Sequence, residues 1–208
     1  MQYVFIHGLG QSPSSWDRTS EYLPKEIQAD YPDLFSLLEN KEITYGNLYD
    51  AFQDYCDKID APLTLCGLSL GAVLALNYTV NHSEKVKSLI LIAPQYKAPR
   101  ALLKFQSIIF RFIPATSFSG IGVSKNNIIH LTNSMQYLDF TNSVSNILCP
   151  TLIICGKRDK MNKKAAKMLT NMIPRALFYE VENAGHEVNT DVPKTLAQVI
   201  MDFQKIKV

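Results

Sequence analysis

Residues 63–76 read Leu-Thr-Leu-Cys-Gly-Leu-Ser-Leu-Gly-Ala-Val-Leu-Ala-Leu, and no other stretch narrows the possible folds as far. The apolar run 63–66 predicts a buried strand, and the Ala- and Leu-rich run 70–78 predicts a helix. Between them, Gly67-Leu68-Ser69-Leu70-Gly71 matches Gly-x-Ser-x-Gly. A chain that turns from strand into helix over so few residues needs a strained residue at the apex, here Ser69. It also needs glycines where side chains would strike neighbouring backbone. Such a turn lifts the serine hydroxyl above the carboxyl ends of the strands. A bare match arises in roughly one chain in fifteen of this length, so the flanking strand and helix carry the weight. The competing reading is a serine that merely caps the helix.

With 208 residues, 47% of them hydrophobic, the chain suits one globular domain with room for an inserted subdomain. The net charge of +2 and the lack of a basic run with interleaved aromatics argue against nucleic acid as a partner. Cys56, Cys66, Cys149 and Cys155 form no Cys-x-x-Cys pair, and reduced core thiols are expected. Met1 leads straight into a strand-like run, without a charged n-region, a long apolar stretch or a cleavage site. The expectation is a cytoplasmic protein with no stable membrane insertion. The oligomeric state is not legible.

Along the chain, residues 2–6 form an apolar strand, followed by His7-Gly8-Leu9-Gly10-Gln11. A helix is predicted from Pro13 to about Leu23, with Ser12 as its cap. Gly8 and Gly10, with Asp30 or Asp33 some twenty residues on, imitate a dinucleotide fingerprint. Pro13 takes the third glycine position, however, which removes the close helix–strand approach. Strand 27–31, helix 44–59 capped by Thr44, and strand 86–92 follow. The alternation predicts right-handed βαβ crossovers and a parallel sheet. It breaks over residues 95–146 and resumes with strand 151–155, helix 162–173, strand 176–181 and helix 192–203. Within the break, residues 100–112 are strongly apolar and 131–140 predict a short helix. We read 1–94 and 147–208 as the core and 95–146 as a lid, since so large an apolar surface must cover something. A peripheral interaction surface or a membrane-touching helix is the alternative.

Acyl transfer by serine needs a base, an acid group that orients the base, and donors for the oxyanion. After a Gly-x-Ser-x-Gly turn the expected chain order is Ser, then Asp or Glu, then His. Here Ser69, Asp159 and His186 appear in that order, each directly after a predicted strand. Parallel strands bring their carboxyl ends to one edge, so the three can converge there. His186 is the candidate base and Asp159 its orienting acid, with Glu182 and Glu187 as rivals to Asp159. The oxyanion donors would be the N–H groups of Leu70, after the nucleophile, and of Leu9, in the loop after the first strand. His7 is the alternative base, but its position favours a role in holding that loop.

At this point the chain resembles the α/β-hydrolase superfamily over nearly its whole length. The likeness rests on the segments 5–10, 67–71, 150–159 and 185–186, with 29–34 resembling the family's segment after its fourth strand. The resemblance implies an α/β fold with helices on both faces. It gives Ser69, Asp159 and His186 the nucleophile, acid and base roles and Leu9 and Leu70 the oxyanion hole. It implies no cofactor and no metal. The family's first two strands have no counterpart, so about six mostly parallel strands are expected. The proline the family often carries shortly after the acid is absent, and Asn162 and Lys163 stand near there.

The leading expectation is a serine hydrolase acting on a small carboxylic ester or thioester with an apolar or acyl moiety. Tyr96, Phe105, Ile109 and Phe112 are candidates for lining its pocket. A lyase or C–C bond hydrolase using the same triad is the second reading, and a non-catalytic ligand-binding receptor is the third; fold alone does not separate them.

Overall fold

The computed structural model describes residues 1–98 and 124–206. Among the described residues six strands form one sheet: β1 (Gln2–Ile6), β2 (Ala29–Asp30), β3 (Leu63–Leu68), β4 (Val86–Ile92), β5 (Thr151–Gly156) and β6 (Ala176–Val181). Their order is β2-β1-β3-β4-β5-β6, and every neighbouring pair is parallel. All the carboxyl ends therefore share one edge. From β1 the chain first moves outward to β2, then returns to place β3 on the other side of β1. The loops after β1 and β3 thus leave the sheet at its topological switch point, where open α/β sheets form a crevice.

The four inner strands β1, β3, β4 and β5 are buried on both faces along most of their length, as helix-covered parallel sheets require, while the edge strands β2 and β6 are only half-buried. Val4, Leu65, Leu91 and Ile153 point into one core, shared with α2 (Tyr45–Asp57), α3 (Leu70–Asn81) and α5 (Lys163–Met172). Phe5, Cys66, Ile90 and Ile154 point into the other, with Trp16 and α7 (Pro193–Lys205). Helix α2 begins where Thr44 was expected to cap it: its hydroxyl accepts from the Asn47 N–H at 3.3 Å. Cys56, Cys66 and Cys155 are buried free thiols, and Cys149 is a half-buried one.

Several elements differ from the sequence reading. The helix expected from Pro13 to Leu23 is a 3-10 turn (Pro13–Trp16) followed by one turn of α1 (Asp17–Ser20). It stops at Ser20 because the ring of Pro24 collides with a helical carbonyl four residues back. The strand expected at 27–31 shrinks to two residues at the sheet's edge. Ile27 is turned back onto the Pro24 carbonyl, and Pro32 has no N–H to extend the ladder. A short helix, α6 (Val188–Asp191), lies between β6 and α7 and was not expected.

Within 95–146, the helix expected over 131–140 lies earlier, as α4 (Lys125–Ser134), with Ser124 accepting the Asn127 N–H and a 3-10 turn over Met135–Tyr137. The apolar run 100–112 lies outside the described residues, and with it Phe105, Ile109 and Phe112. The two ends of the segment meet in a short antiparallel contact. Ala98 N–H donates to the Leu138 carbonyl and Phe140 N–H to the Tyr96 carbonyl, both at 2.8 Å, with Lys97 paired to Asp139 at 2.7 Å.

Candidate active site

The turn from β3 into α3 is held by backbone. Ser69 adopts φ 54° and ψ −109°, a conformation that costs an L-residue about 1–3 kcal/mol. Its N–H donates to the Ile92 carbonyl at 2.9 Å, and its own carbonyl receives the Val73 N–H at 3.1 Å. A Cβ on Gly67 would run into the carbonyl of Gly71, and one on Gly71 into the carbonyl of Ile6. Both glycines are therefore required by close approach: Gly71 lets the first turn of α3 rest directly on the end of β1. Ser69 is neither buried nor fully exposed, and its side chain makes no capping bond. The capping alternative is thereby set aside. Leu70, at the first position of α3, has an N–H that the helix itself cannot satisfy.

The loop after β1 is organised by two side chains. His7 is fully buried. Its Nδ1–H donates to the Gly8 carbonyl at 3.0 Å, and its Nε2 accepts the Leu34 N–H at 3.2 Å. Burial pushes the His7 imidazolium down, against smaller upward pulls from the Gly8 carbonyl and Asp33. With both nitrogens engaged, His7 is a neutral strut between this loop and the segment after β2. Gln11 is the second organiser. Its Oε1 accepts the Gly8 N–H at 3.3 Å, and the Gln11 N–H donates back to the Gly8 carbonyl at 3.2 Å. Among the described residues neither the Leu9 nor the Gly10 N–H has an acceptor within the loop, so both amides are left available. The same bonding consumes the Gly8 amide that a dinucleotide cradle would need.

The loops after β5 and β6 are stitched together past the end of the sheet. Lys157 N–H donates to the Val181 carbonyl at 2.8 Å and Arg158 N–H to the Ala184 carbonyl at 2.9 Å. Gly156 leaves no space for a Cβ against the Gly185 carbonyl. This brings Asp159, whose side chain is 4% exposed, against His186, whose side chain is 43% exposed. The His186 Nδ1–H donates to Asp159 Oδ2 at 2.9 Å. A carboxylate accepts only, so this bond places a proton on Nδ1, and in the neutral ring Nε2 is then the acceptor. Burial raises the affinity of the Asp159 carboxyl for a proton, but the bonds from His186 and Asn162 outweigh it. The net direction is below the usual aspartate range. The rivals are otherwise engaged: Glu182 pairs with Lys157 at 2.8 Å, and Glu187 receives the Thr190 hydroxyl at 3.4 Å.

Four polar residues of the site escaped the sequence reading. Asn162 donates from Nδ2 to both oxygens of Asp159, at 3.0 and 2.8 Å, and from its own N–H to Oδ1 at 3.1 Å. Gln95 Nε2 donates in turn to Asn162 Oδ1 at 2.7 Å. On the other side, Gln11 and Asn189 exchange side-chain amide bonds at 3.3 Å. Asn189, fully buried, also donates to the Ser15 carbonyl at 3.1 Å, tying α6 to the loop after β1. The one signal available was the missing proline, which had left Asn162 at an unusual place. Of the pocket candidates, only Tyr96 lies among the described residues, and its hydroxyl donates to Met168 Sδ at 3.8 Å. Among the described residues no three His, Cys, Asp or Glu side chains gather as a metal site.

Known proteins share this arrangement of sheet and loops. The sequence profile of the alpha/beta hydrolase family matches residues 3–199. The chain is 27% identical over 191 residues to the alpha/beta hydrolase domain-containing protein VTE7 of Arabidopsis thaliana. That match covers 76% of this chain and 57% of the relative, so the chain spans little more than half of that protein. It is 23% identical over 243 residues to a putative 2-succinyl-6-hydroxy-2,4-cyclohexadiene-1-carboxylate synthase of Bacillus subtilis, covering 96% of this chain and 89% of the relative. Its fold superposes on a thermophilic esterase from Thermogutta terrifontis with a TM-score of 0.77 at 18% identity, covering 99% and 89% of the two chains. With a wholly parallel sheet, a strained serine turn after its third strand and a family match over nearly its full length, the chain belongs to the alpha/beta hydrolase family.

Proposed function

We propose that the protein is a serine hydrolase that cleaves a small carboxylic ester or thioester through an acyl-enzyme. The observation that carries this reading is the 2.9 Å bond from Nδ1 of the half-exposed His186 ring to a buried Asp159. In this mechanism His186 Nε2 takes the proton from Ser69 Oγ as the oxygen attacks the substrate carbonyl. Asp159 holds the ring in that tautomer and stabilises the imidazolium that forms. The Leu9 and Leu70 N–H groups bind the developing oxyanion. Collapse of the tetrahedral species returns the proton from His186 to the leaving alcohol or thiol. Water, activated by the same ring, then releases the acid from Ser69.

Residues 95–146 are proposed as the lid, with Tyr96, Phe105, Ile109 and Phe112 as pocket lining. Its apolar composition favours a substrate with an apolar or acyl moiety. Initial rates on aryl esters of increasing acyl length test the reading. Turnover lost in Ser69→Ala, with an optimum chain length, is the expected result. No turnover at any length contradicts it.

One observation favours a second reading. The Bacillus relative covered over 96% of this chain is named a synthase, not an esterase. The same Ser–His pair can abstract a proton from carbon and expel a leaving group without forming an acyl-enzyme. Failure to trap acyl-Ser69 during turnover would select that reading. The receptor reading has no such support, since a receptor has no need of an Asp–His pair and a strained serine turn at one edge of the sheet.

A further inference from the structure

The Asp159 carboxylate is almost fully buried, and among the described residues every donor it has besides His186 belongs to a single residue, Asn162. Asn162 sits at the cap position of α5, so its backbone N–H points back toward the loop. Its side-chain amide is fixed in orientation as well. Gln95 Nε2 is a donor and must face the amide oxygen, which leaves the NH₂ group turned to the carboxylate. That NH₂ lies 3.1 Å from His186 Nδ1. Since Nδ1 carries a proton there, the amide does not donate to the ring, and its bonds go to the carboxylate. Gln95 begins the segment 95–146, next to Tyr96, whose carbonyl accepts the Phe140 N–H.

We infer that Asn162 is a positioning residue which holds the Asp159 carboxylate against His186 Nδ1, and that Gln95, at the neck of the 95–146 segment, holds Asn162. This rests on the serine-hydrolase reading for its kinetic consequence but not for its geometry. The other charges around the histidine loop do not replace it. Arg158 donates to the Asn183 carbonyl and lies 3.8 Å from Asp191, and Asp191 accepts the Gly185 N–H at 2.6 Å. Glu187 is the remaining neighbour, and its carboxylate receives the Thr190 hydroxyl.

The test uses two readouts on the full chain. The first is the far-downfield proton NMR signal of the His186 Nδ1–H, which reports the Asp–His bond without any turnover; Asp159→Asn is its control. The second is the split between kcat and KM for aryl ester hydrolysis. In Asn162→Ala the signal is expected to broaden by exchange with water. kcat should fall on the order of tenfold, the value of one hydrogen bond to a charged group, with KM nearly unchanged. Asn162→Asp keeps the shape and the capping ability but removes the donor, and should fall at least as far. Gln95→Ala should act in the same direction by about threefold. A retained signal and rate in Asn162→Asp, with the fold intact, overturns the inference. Absence of ester turnover in the wild type overturns the hydrolase reading instead, and leaves the NMR comparison able to decide the role of Asn162.

Discussion

The two halves of the candidate site are built by different means. The turn after β3 that carries the nucleophile is shaped by backbone: Ser69 at positive φ, and two glycines packed so closely that neither has space for a methyl group. The half after β5 and β6 is shaped by side chains, with Asp159, His186, Asn162 and Gln95 joined in one hydrogen-bonded chain. The serine turn tolerates no extra atom, and the loop after β1 beside it is braced by His7 and Gln11. The second half depends on each partner's donor or acceptor. A nucleophile needs a fixed position and an oxyanion site made of amides, which backbone supplies. A base needs a fixed tautomer and a ring able to carry charge, which a held carboxylate supplies.

That contrast can be broken most sharply by Asp159→Asn. The ring would then receive a donor where it had an acceptor, Nδ1 would give up its proton, and Nε2 would be the wrong tautomer. We expect kcat to fall by about 10⁴, as in the best-studied triad, with the thermal midpoint changed little. A near-normal rate would move the acid role to Glu182 or Glu187.

On the backbone side, Gly71→Ala should cost about 3 kcal/mol or more, read by urea denaturation, because the carbonyls of Ile6 and His7 belong to the sheet and its loop and cannot step aside. A loss under about 1 kcal/mol would show that the contact of α3 with β1 relaxes easily.

His7 gives a smaller effect with a definite sign. Burial lowers its folded-state pKa, so the unfolded chain binds the proton more readily. The stability it contributes is complete above the ordinary histidine pKa of about 6.5 and is lost as pH falls through the depressed folded value. Wild type should therefore lose stability below neutrality. His7→Gln, which can still donate to Gly8 and accept from Leu34, should flatten that slope. An unchanged slope would place the titration elsewhere. Least of all, Ser69→Gly should raise stability by about 1 kcal/mol by releasing the strained φ, while removing the nucleophile.

The same contrast explains what could be read in the sequence. Strands β1, β4 and β6 fall at the residues expected, because each is an apolar run closed by Gly, Pro or Asn. The serine turn is legible because close backbone approach leaves glycines at fixed spacing. The order Ser69, Asp159, His186 is legible because each follows a strand, and parallel strands share an edge. The role of Asn162 is not legible, since its reach to both carboxylate oxygens depends on how the loop after β5 folds over three residues. Gln11 and Asn189 meet across 178 positions, a pairing no local pattern announces. The shortening of β2 follows from Pro24 and Pro32 acting together, and each alone reads only as a boundary.

The central claim is that Ser69 is an activated nucleophile, and a fluorophosphonate probe tests it most directly, since it needs no knowledge of the substrate. The account predicts one covalent adduct by intact mass, mapped to the peptide carrying Ser69, absent in Ser69→Ala and formed far more slowly in Asp159→Asn. A folded wild-type protein that takes up no probe, or a Ser69→Ala variant labelled as readily as wild type, would contradict it.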